Sequence, residues 1–229
     1  MTEQASHPIL NYPEEARIAY VSLLGELCYV DRQFDEQERN QLEQQMNALE
    51  ISDQGKARVY AAVYDLSDSH REAIIAGIQA LSDSDLRFTL ITDLFIMALA
   101  NNYISVEEQD YVIEIGRSLG VEHEQTMAIK QVQFGLWQLR NTPSDSDSFN
   151  NFIKESAANL AGAGVPIAAV AASGSVFGLS AAGITSGLAA LGALVGGGML
   201  AGTVLVVPAI AAVSIWGVKK LVDIVTKAD

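Results

Sequence analysis

The residues of this chain whose types and spacing could do chemistry are mostly carboxylates. Asp31, Asp35 and Glu38 crowd one short polar stretch, and Glu108 stands in a second. A Ca²⁺ ion takes six to eight oxygens, and the helix–loop–helix calcium loop supplies them at alternate positions around a central glycine. That pattern is not present. Asp35-Glu-Gln-Glu38 and Ser105-Val-Glu-Glu108 instead have the form of a helix start, with a side-chain oxygen at the cap and a Glu three residues on. In such a box each side chain satisfies a backbone donor that the first helical turn leaves unpaired. Ser69-His-Arg-Glu72 has the same form, and Ser82 to Asp85 is a weaker version.

Other candidate chemistry is thinner. His7, His70 and His123 lie far apart, none with a second His at ligand spacing, and read as surface residues. Cys28, the single cysteine, falls in the apolar run Leu23 to Val30 and reads as a small core residue. Asp93 interrupts the apolar run Phe88 to Ala100; one polar stripe of a helix, shared with Thr89, is the favoured reading and a buried functional acid the alternative. No nucleophile elbow, phosphate loop or dinucleotide fingerprint appears, so the expectation is a protein that is not an enzyme.

The elements that would position these residues are helices. Few glycines interrupt the chain before residue 140, and no run alternates apolar and polar residues long enough for a sheet. Helices are expected near 13–31, 35–50, 53–66, 69–82, 84–101, 105–119 and 122–139. An internal repeat runs through them at an offset of 70 positions. Leu24, Leu27, Cys28, Val30, Phe34, Glu38, Leu42, Leu49 and Ile51 fall on Leu94, Met97, Ala98, Ala100, Ile104, Glu108, Val112, Leu119 and Val121. Asp31 falls on Asn101 and Asp35 on Ser105. Two similar helical hairpins about a pseudo-twofold, sharing the matched apolar positions as core, are the expected result.

Charge divides the 229 residues into two parts. Residues 1–155 carry 26 acids and 11 bases, a net of −15, whereas residues 156–218 carry no charge over 63 positions. An acidic body of this kind lacks the basic face a nucleic-acid binder needs. One cysteine allows no intrachain disulfide and suits a reducing compartment. The first 17 residues lack the basic-then-apolar order of a signal peptide.

Tyr29-Val-Asp-Arg-Gln-Phe-Asp-Glu-Gln-Glu38, Ala100-Asn-Asn-Tyr-Ile-Ser-Val-Glu-Glu108 and Ile115-Gly-Arg-Ser-Leu-Gly-Val121 resemble the tellurite-resistance TerB-like domain, over about residues 12–140. The resemblance implies an all-helical acidic domain implicated in bacterial stress and phage-defence systems, in some members with a proposed divalent-metal site. The positions matching such a site, for a cation such as Ca²⁺, are Asp31, Asp35 and Glu38, with Glu108 opposite. Asn101 and Ser105 stand where the second unit would need acids.

The uncharged segment reads differently. Asn141 to Ser148 is turn-rich and polar, and residues 141–155 read as a linker. Residues 156–218 hold 12 of the 18 glycines and are long enough for a two-crossing membrane hairpin. The best crossing is Met199 to Val218, ending at Trp216 with Lys219 and Lys220 just beyond, an order suited to the headgroup boundary. Its partner is Val176 to Val195, and residues 157–173 read as a weaker insertion or an interfacial lead-in. Gly174 and Gly178, Gly183 and Gly187, Gly192 and Gly196, and Gly198 and Gly202 are each four apart. That spacing clears a helix face for close packing in lipid. The stretch from Gly178 to Met199 also resembles the glycine-rich hairpin of small interferon-inducible membrane proteins.

The whole is expected to be all-α, with a flexible start (1–11), an acidic seven-helix body (12–140), the linker, a glycine-rich transmembrane hairpin (156–218) and a tail (219–229). Its expected partners are membrane lipid, copies of itself and a protein at the acidic body, with no nucleic acid. Its expected place is the bacterial inner membrane, body in the cytoplasm. The leading expectation is a stress or phage-defence effector whose hairpin inserts, oligomerises and permeabilises the membrane. The alternatives are a non-permeabilising anchored scaffold or a soluble cytoplasmic cation binder.

Overall fold

The starts of α2, α3 and α6 are set by side-chain caps at Asp35, Ser52 and Ser105, and the start of α6 repeats that of α2. The computed structural model describes residues 7–32, 34–65, 67–81, 85–141 and 146–173, all of them helix, turn or coil. A 3-10 turn, Pro8–Asn11, leads to α1 (Glu14–Leu27), α2 (Glu36–Ala48), α3 (Asp53–Tyr64) and α4 (Asp68–Gln79). There follow α5 (Leu86–Ala98), α6 (Val106–Ser118), α7 (His123–Asn141), α8 (Ser146–Gly162) and α9 (Ile167–Ser173). The starts and ends of α2 and α6, and the starts of α3 and α7, are displaced by 70 positions, as the sequence repeat requires.

Packing repeats too. Helix α1 lies on α3 as α5 lies on α7, α1 touches α6 as α5 touches α2, and α1 and α5 meet at the centre. The two halves thus share one pattern of helix neighbours, with Leu24, Leu42, Leu94 and Val112 fully buried in one core. Gly25 lets α1 and α3 approach closely, since a Cβ there would stand 2.7 Å from Val63 Cγ2.

Three findings differ from the sequence reading. Helix α4 starts at Asp68 behind Ser67, so Ser69 lies inside the helix and caps nothing. Helices α1 and α5 end earlier than expected, at Leu27 and Ala98, because the chain then turns through left-handed Arg32 and Asn102. Residues 146–173, read as the end of the linker and the start of the membrane segment, form α8 and α9 and pack on the body. Helix α8 lies against α7 and α9 against α5, burying Ile153, Ala157, Leu160, Val165, Ala169 and Val170. The apolar positions of α8 recur at i, i+4 and i+7, the spacing of a helix with one core face. Among the described residues no helix is long and apolar enough to cross a membrane. Both expected crossings, the eight spaced glycines from Gly174 to Gly202, and Trp216, Lys219 and Lys220 lie outside the described residues.

Candidate functional site

The two hairpin turns bring the sequence-predicted carboxylates toward one end of the bundle. At the start of α2, Asp35 Oδ1 accepts from the Glu38 N–H at 2.8 Å, and Glu38 Oε2 accepts from the Asp35 N–H at 3.0 Å. At the start of α6, Ser105 Oγ accepts from the Glu108 N–H at 3.0 Å, and Glu108 Oε2 accepts from the Ser105 N–H at 2.7 Å. Both are complete capping boxes. Each sits next to a left-handed turn residue, Arg32 at φ 66° and Asn102 at φ 67°.

These glutamates are unusual for capping residues because they are buried, 4% and 3% exposed. Burial, then the neighbouring Asp35, Glu108 and Asp31, push the Glu38 carboxyl up to about 7, against the pull of the Asp35 N–H. Burial also raises Glu108, with Asp31 and Asp35 adding to it. Cys28 lies among them with its thiol pushed well above the ordinary range, by burial and then by Glu38 and Glu108. Its Sγ–H donates to Leu24 O at 3.2 Å, as a small core residue does. Two matched boxes, two matched left-handed turns and a shared acidic end make one repeated architecture. The model of the family described as tellurite resistance protein TerB matches residues 17–131, half of the chain. This chain belongs to the TerB family. Neither a curated protein nor a solved structure matches it.

Of the residues that the resemblance would assign to a metal, Asp31, Asp35, Glu38 and Glu108 do share this end of the TerB domain. Among the described residues, however, no three or more His, Cys, Asp or Glu side chains are grouped so as to hold a metal ion. One oxygen of Asp35, of Glu38 and of Glu108 is already committed to a backbone N–H. The donor set fits capping better than a six-oxygen shell.

The sequence reading placed His7 at the surface, and the structure corrects this: it is 1% exposed. His7 Nε2 lies 2.9 Å from Asp93 Oδ2, and the Tyr20 hydroxyl donates to the same oxygen at 2.6 Å. The Ile9 N–H donates to His7 Nδ1 at 3.3 Å, so the Nε2 nitrogen carries the proton toward Asp93. Asp93 Oδ1 has no hydrogen bond of normal geometry, although Ser173 on α9 stands close enough to favour the ionised form. Burial nonetheless raises the Asp93 pKa, with His7 the main opposing influence. Asp93 is thus a buried junction, and Thr89, its partner in the polar stripe, is buried too. The signal in the sequence was its position within the longest apolar run of the body.

A second buried network was not foreseen. Glu26, fully buried on α1, receives Arg71 Nε of α4 at 3.0 Å and the Tyr111 hydroxyl of α6 at 3.2 Å, both on Oε2. Arg71 also lies over the Tyr111 ring, 5.1 Å from its centroid. This network holds α4 between the two halves of the TerB domain. Sequence alone offered only an isolated Glu in an apolar stretch.

Proposed function

We propose that this TerB-family protein is a non-catalytic bacterial stress or phage-defence component with an acidic sensing or docking body and a membrane-inserting segment. Family membership supports a tellurite-resistance or stress-related role. The acidic helical body, with α8 and α9 packed on it, binds a protein partner or reports a signal. The glycine-rich segment beyond it inserts into the inner membrane, self-associates through its spaced glycines and permeabilises the bilayer, with the body in the cytoplasm. The observation that carries this reading is the 63-residue run without one charge, joined to a body of net charge −15. Because residues 156–173 pack on the body, the membrane part rests on residues 174–218, whose 45 positions still suffice for two crossings at about 1.5 Å per residue.

The test follows from that boundary. Expressing cells are fractionated and their membranes washed with carbonate, for the full chain and for a deletion of residues 174–218 that leaves α8 and α9 intact. Retention of the full chain and release of the deletion support the reading; full-length protein wholly in the supernatant overturns it. Gly183→Leu with Gly187→Leu then separates an oligomeric effector, which loses dye release from liposomes, from a plain anchored scaffold that never produced it.

A further inference from the structure

We propose that the face of the second unit formed by Tyr103, Val106, Phe134 and Trp137 docks an arginine-bearing segment of a protein partner. This rests on the docking role given above to the acidic body and names its surface. Tyr103, Val106 and Phe134 are 65%, 67% and 42% exposed, and large apolar side chains exposed together mark an interaction surface. The Lys130 ammonium donates to Gln109 Oε1, and the Trp137 indole N–H donates to Asn102 Oδ1 at 3.0 Å, so α7 runs antiparallel to residues 102–109. One turn along from the Gln109–Lys130 contact, this register sets Val106 beside Phe134. The Phe134 ring stacks on Trp137 with 5.5 Å between centroids, and Tyr103 follows directly on Asn102. The four side chains form one patch.

The first unit shows what covers such a face. Seventy positions before Phe134 stands Tyr64, which meets the Tyr29 and Phe34 rings at 5.0 and 6.4 Å. Two guanidiniums of the same unit lie on this cluster, Arg32 over Tyr29 at 5.6 Å and Arg39 over Phe34 at 4.8 Å. At the matching positions the second unit has Asn102 and Gln109. Both are neutral, and each is bonded to a residue of α7. Among the described residues no guanidinium lies over Tyr103, Phe134 or Trp137. The second unit thus keeps exposed aromatic surface without the cations that the first supplies to its own. Exposed Glu107 and Asp110 on α6 border the patch, against one ammonium, that of Lys130, which Gln109 holds. A planar guanidinium suits both features, since it stacks on an aromatic face and donates to a carboxylate. Apolar side chains beside the arginine would cover Val106 and Tyr103. An acidic segment or an anionic membrane would meet the repulsion of a body of net charge −15.

A fluorescein-labelled helical peptide with arginines and leucines along one face, titrated with the full chain at about 0.15 M salt, tests this by fluorescence anisotropy. Matched peptides carry lysine, or the planar but uncharged citrulline, in place of arginine. The arginine peptide should bind about tenfold more tightly than either. Val106→Ser with Phe134→Ser should weaken its binding about tenfold. Glu107→Gln with Asp110→Asn, which removes charge and no apolar contact, should weaken it and flatten its salt dependence. Tyr64→Ser, at the matching place in the first unit, should leave it unchanged. Equal binding of the lysine or citrulline peptide, no binding at about 1 mM peptide, or equal losses in Tyr64→Ser and Phe134→Ser overturn the proposal. So does a patch variant that sediments as a smaller species than the wild type, or that loses flotation with phosphatidylcholine vesicles, because a second copy or lipid is then the occupant. Arginine-dependent binding that survives both patch variants overturns this surface and leaves the docking role of the body standing. The carbonate wash, which tests the membrane segment, bears on neither.

Discussion

Arg32 and Asn102, seventy positions apart, hold the same left-handed backbone, at φ 66° and 67°. One side chain lies over the Tyr29 ring, 5.6 Å from its centroid; the other accepts the Trp137 indole N–H on Oδ1 at 3.0 Å. The two units therefore share a backbone path while their side chains do different things. Such a conformation costs a non-glycine residue roughly 1–3 kcal/mol, which the surrounding packing must offset.

A second pair turns this relationship into an experiment. Glu50 (φ 53°) and Gly120 (φ 71°) close α2 and α6, each followed by an N–H that bonds back five residues, Ile51 to Met46 O at 2.9 Å and Val121 to Gly116 O at 2.8 Å. Glycine suits this position, and the second unit has it. Glu50→Gly should stabilise the protein by about 0.5–1 kcal/mol, and Gly120→Ala should cost about 1 kcal/mol or more. The Arg17 contact that Glu50 gives up is 3.5 Å long, with the Glu50 side chain 76% exposed, so its loss matters little. Urea denaturation measures both; a destabilised Glu50→Gly protein would refute the strain argument.

Glu38 predicts the pH dependence. Its folded-state pKa of about 7 lies above the ordinary 4.5, so the folded state holds a proton that the unfolded state has released. This contribution to stability is fully present below about 4.5 and is lost as pH rises through about 7. By linkage the difference amounts to roughly 3 kcal/mol at most. Glu38→Gln keeps a capping side chain at the third helical position and removes the charge. The variant should gain on the wild type between pH 5 and pH 8, as read from urea midpoints at the two values. A constant difference across that range would show that Glu38 ionises normally.

The capping boxes of α2 and α6 and the 70-residue offset between them were legible because each is written in residue type at fixed spacing. Asp35, Glu38, Ser105 and Glu108 announce helix starts whatever surrounds them. His7 was not legible. Nothing local to it points to Asp93, 86 positions away, and only the folded core brings the pair together. Helices α8 and α9 were misread for another reason. Residues 146–155 are polar enough to read as linker, and from residue 156 on alanine, glycine and serine without charge suit a lipid-facing helix and also a helix packed tightly on protein, so composition does not separate them. The periodic Ile153, Ala157 and Leu160, facing away from Lys154, Glu155 and Asn159, was the separating signal.

The carboxylate cluster permits a direct contrast between capping and calcium. Asp35→Ser should retain most stability, because Ser is an equally good cap, whereas Asp35→Ala should lose about 1 kcal/mol. Millimolar CaCl₂ should leave the melting temperature of wild type, Asp35→Ser and Asp31→Ala equally unmoved. A Ca²⁺-dependent rise in the wild type that Asp31→Ala abolishes would instead establish a cation site and overturn the capping assignment.

Glu26 and Arg71 supply the largest expected single effect. Glu26 is wholly buried with Oε1 unbonded, and its carboxyl is raised chiefly by that burial, against the pull of Arg71. Removing the guanidinium leaves a buried carboxylate with one phenol. Arg71→Met, which keeps an unbranched apolar side chain at this position, should therefore cost about 3–5 kcal/mol. Arg71→Lys should not fully rescue it, since an ammonium cannot reproduce the Nε bond and the planar stacking together. Neutralising the orphaned acid should: Glu26→Gln with Arg71→Met should recover at least half of the loss. A double-mutant cycle from urea denaturation gives the coupling directly, and additive costs would show that α4 is held by its apolar face, Ile75 and Ile78, rather than by charge.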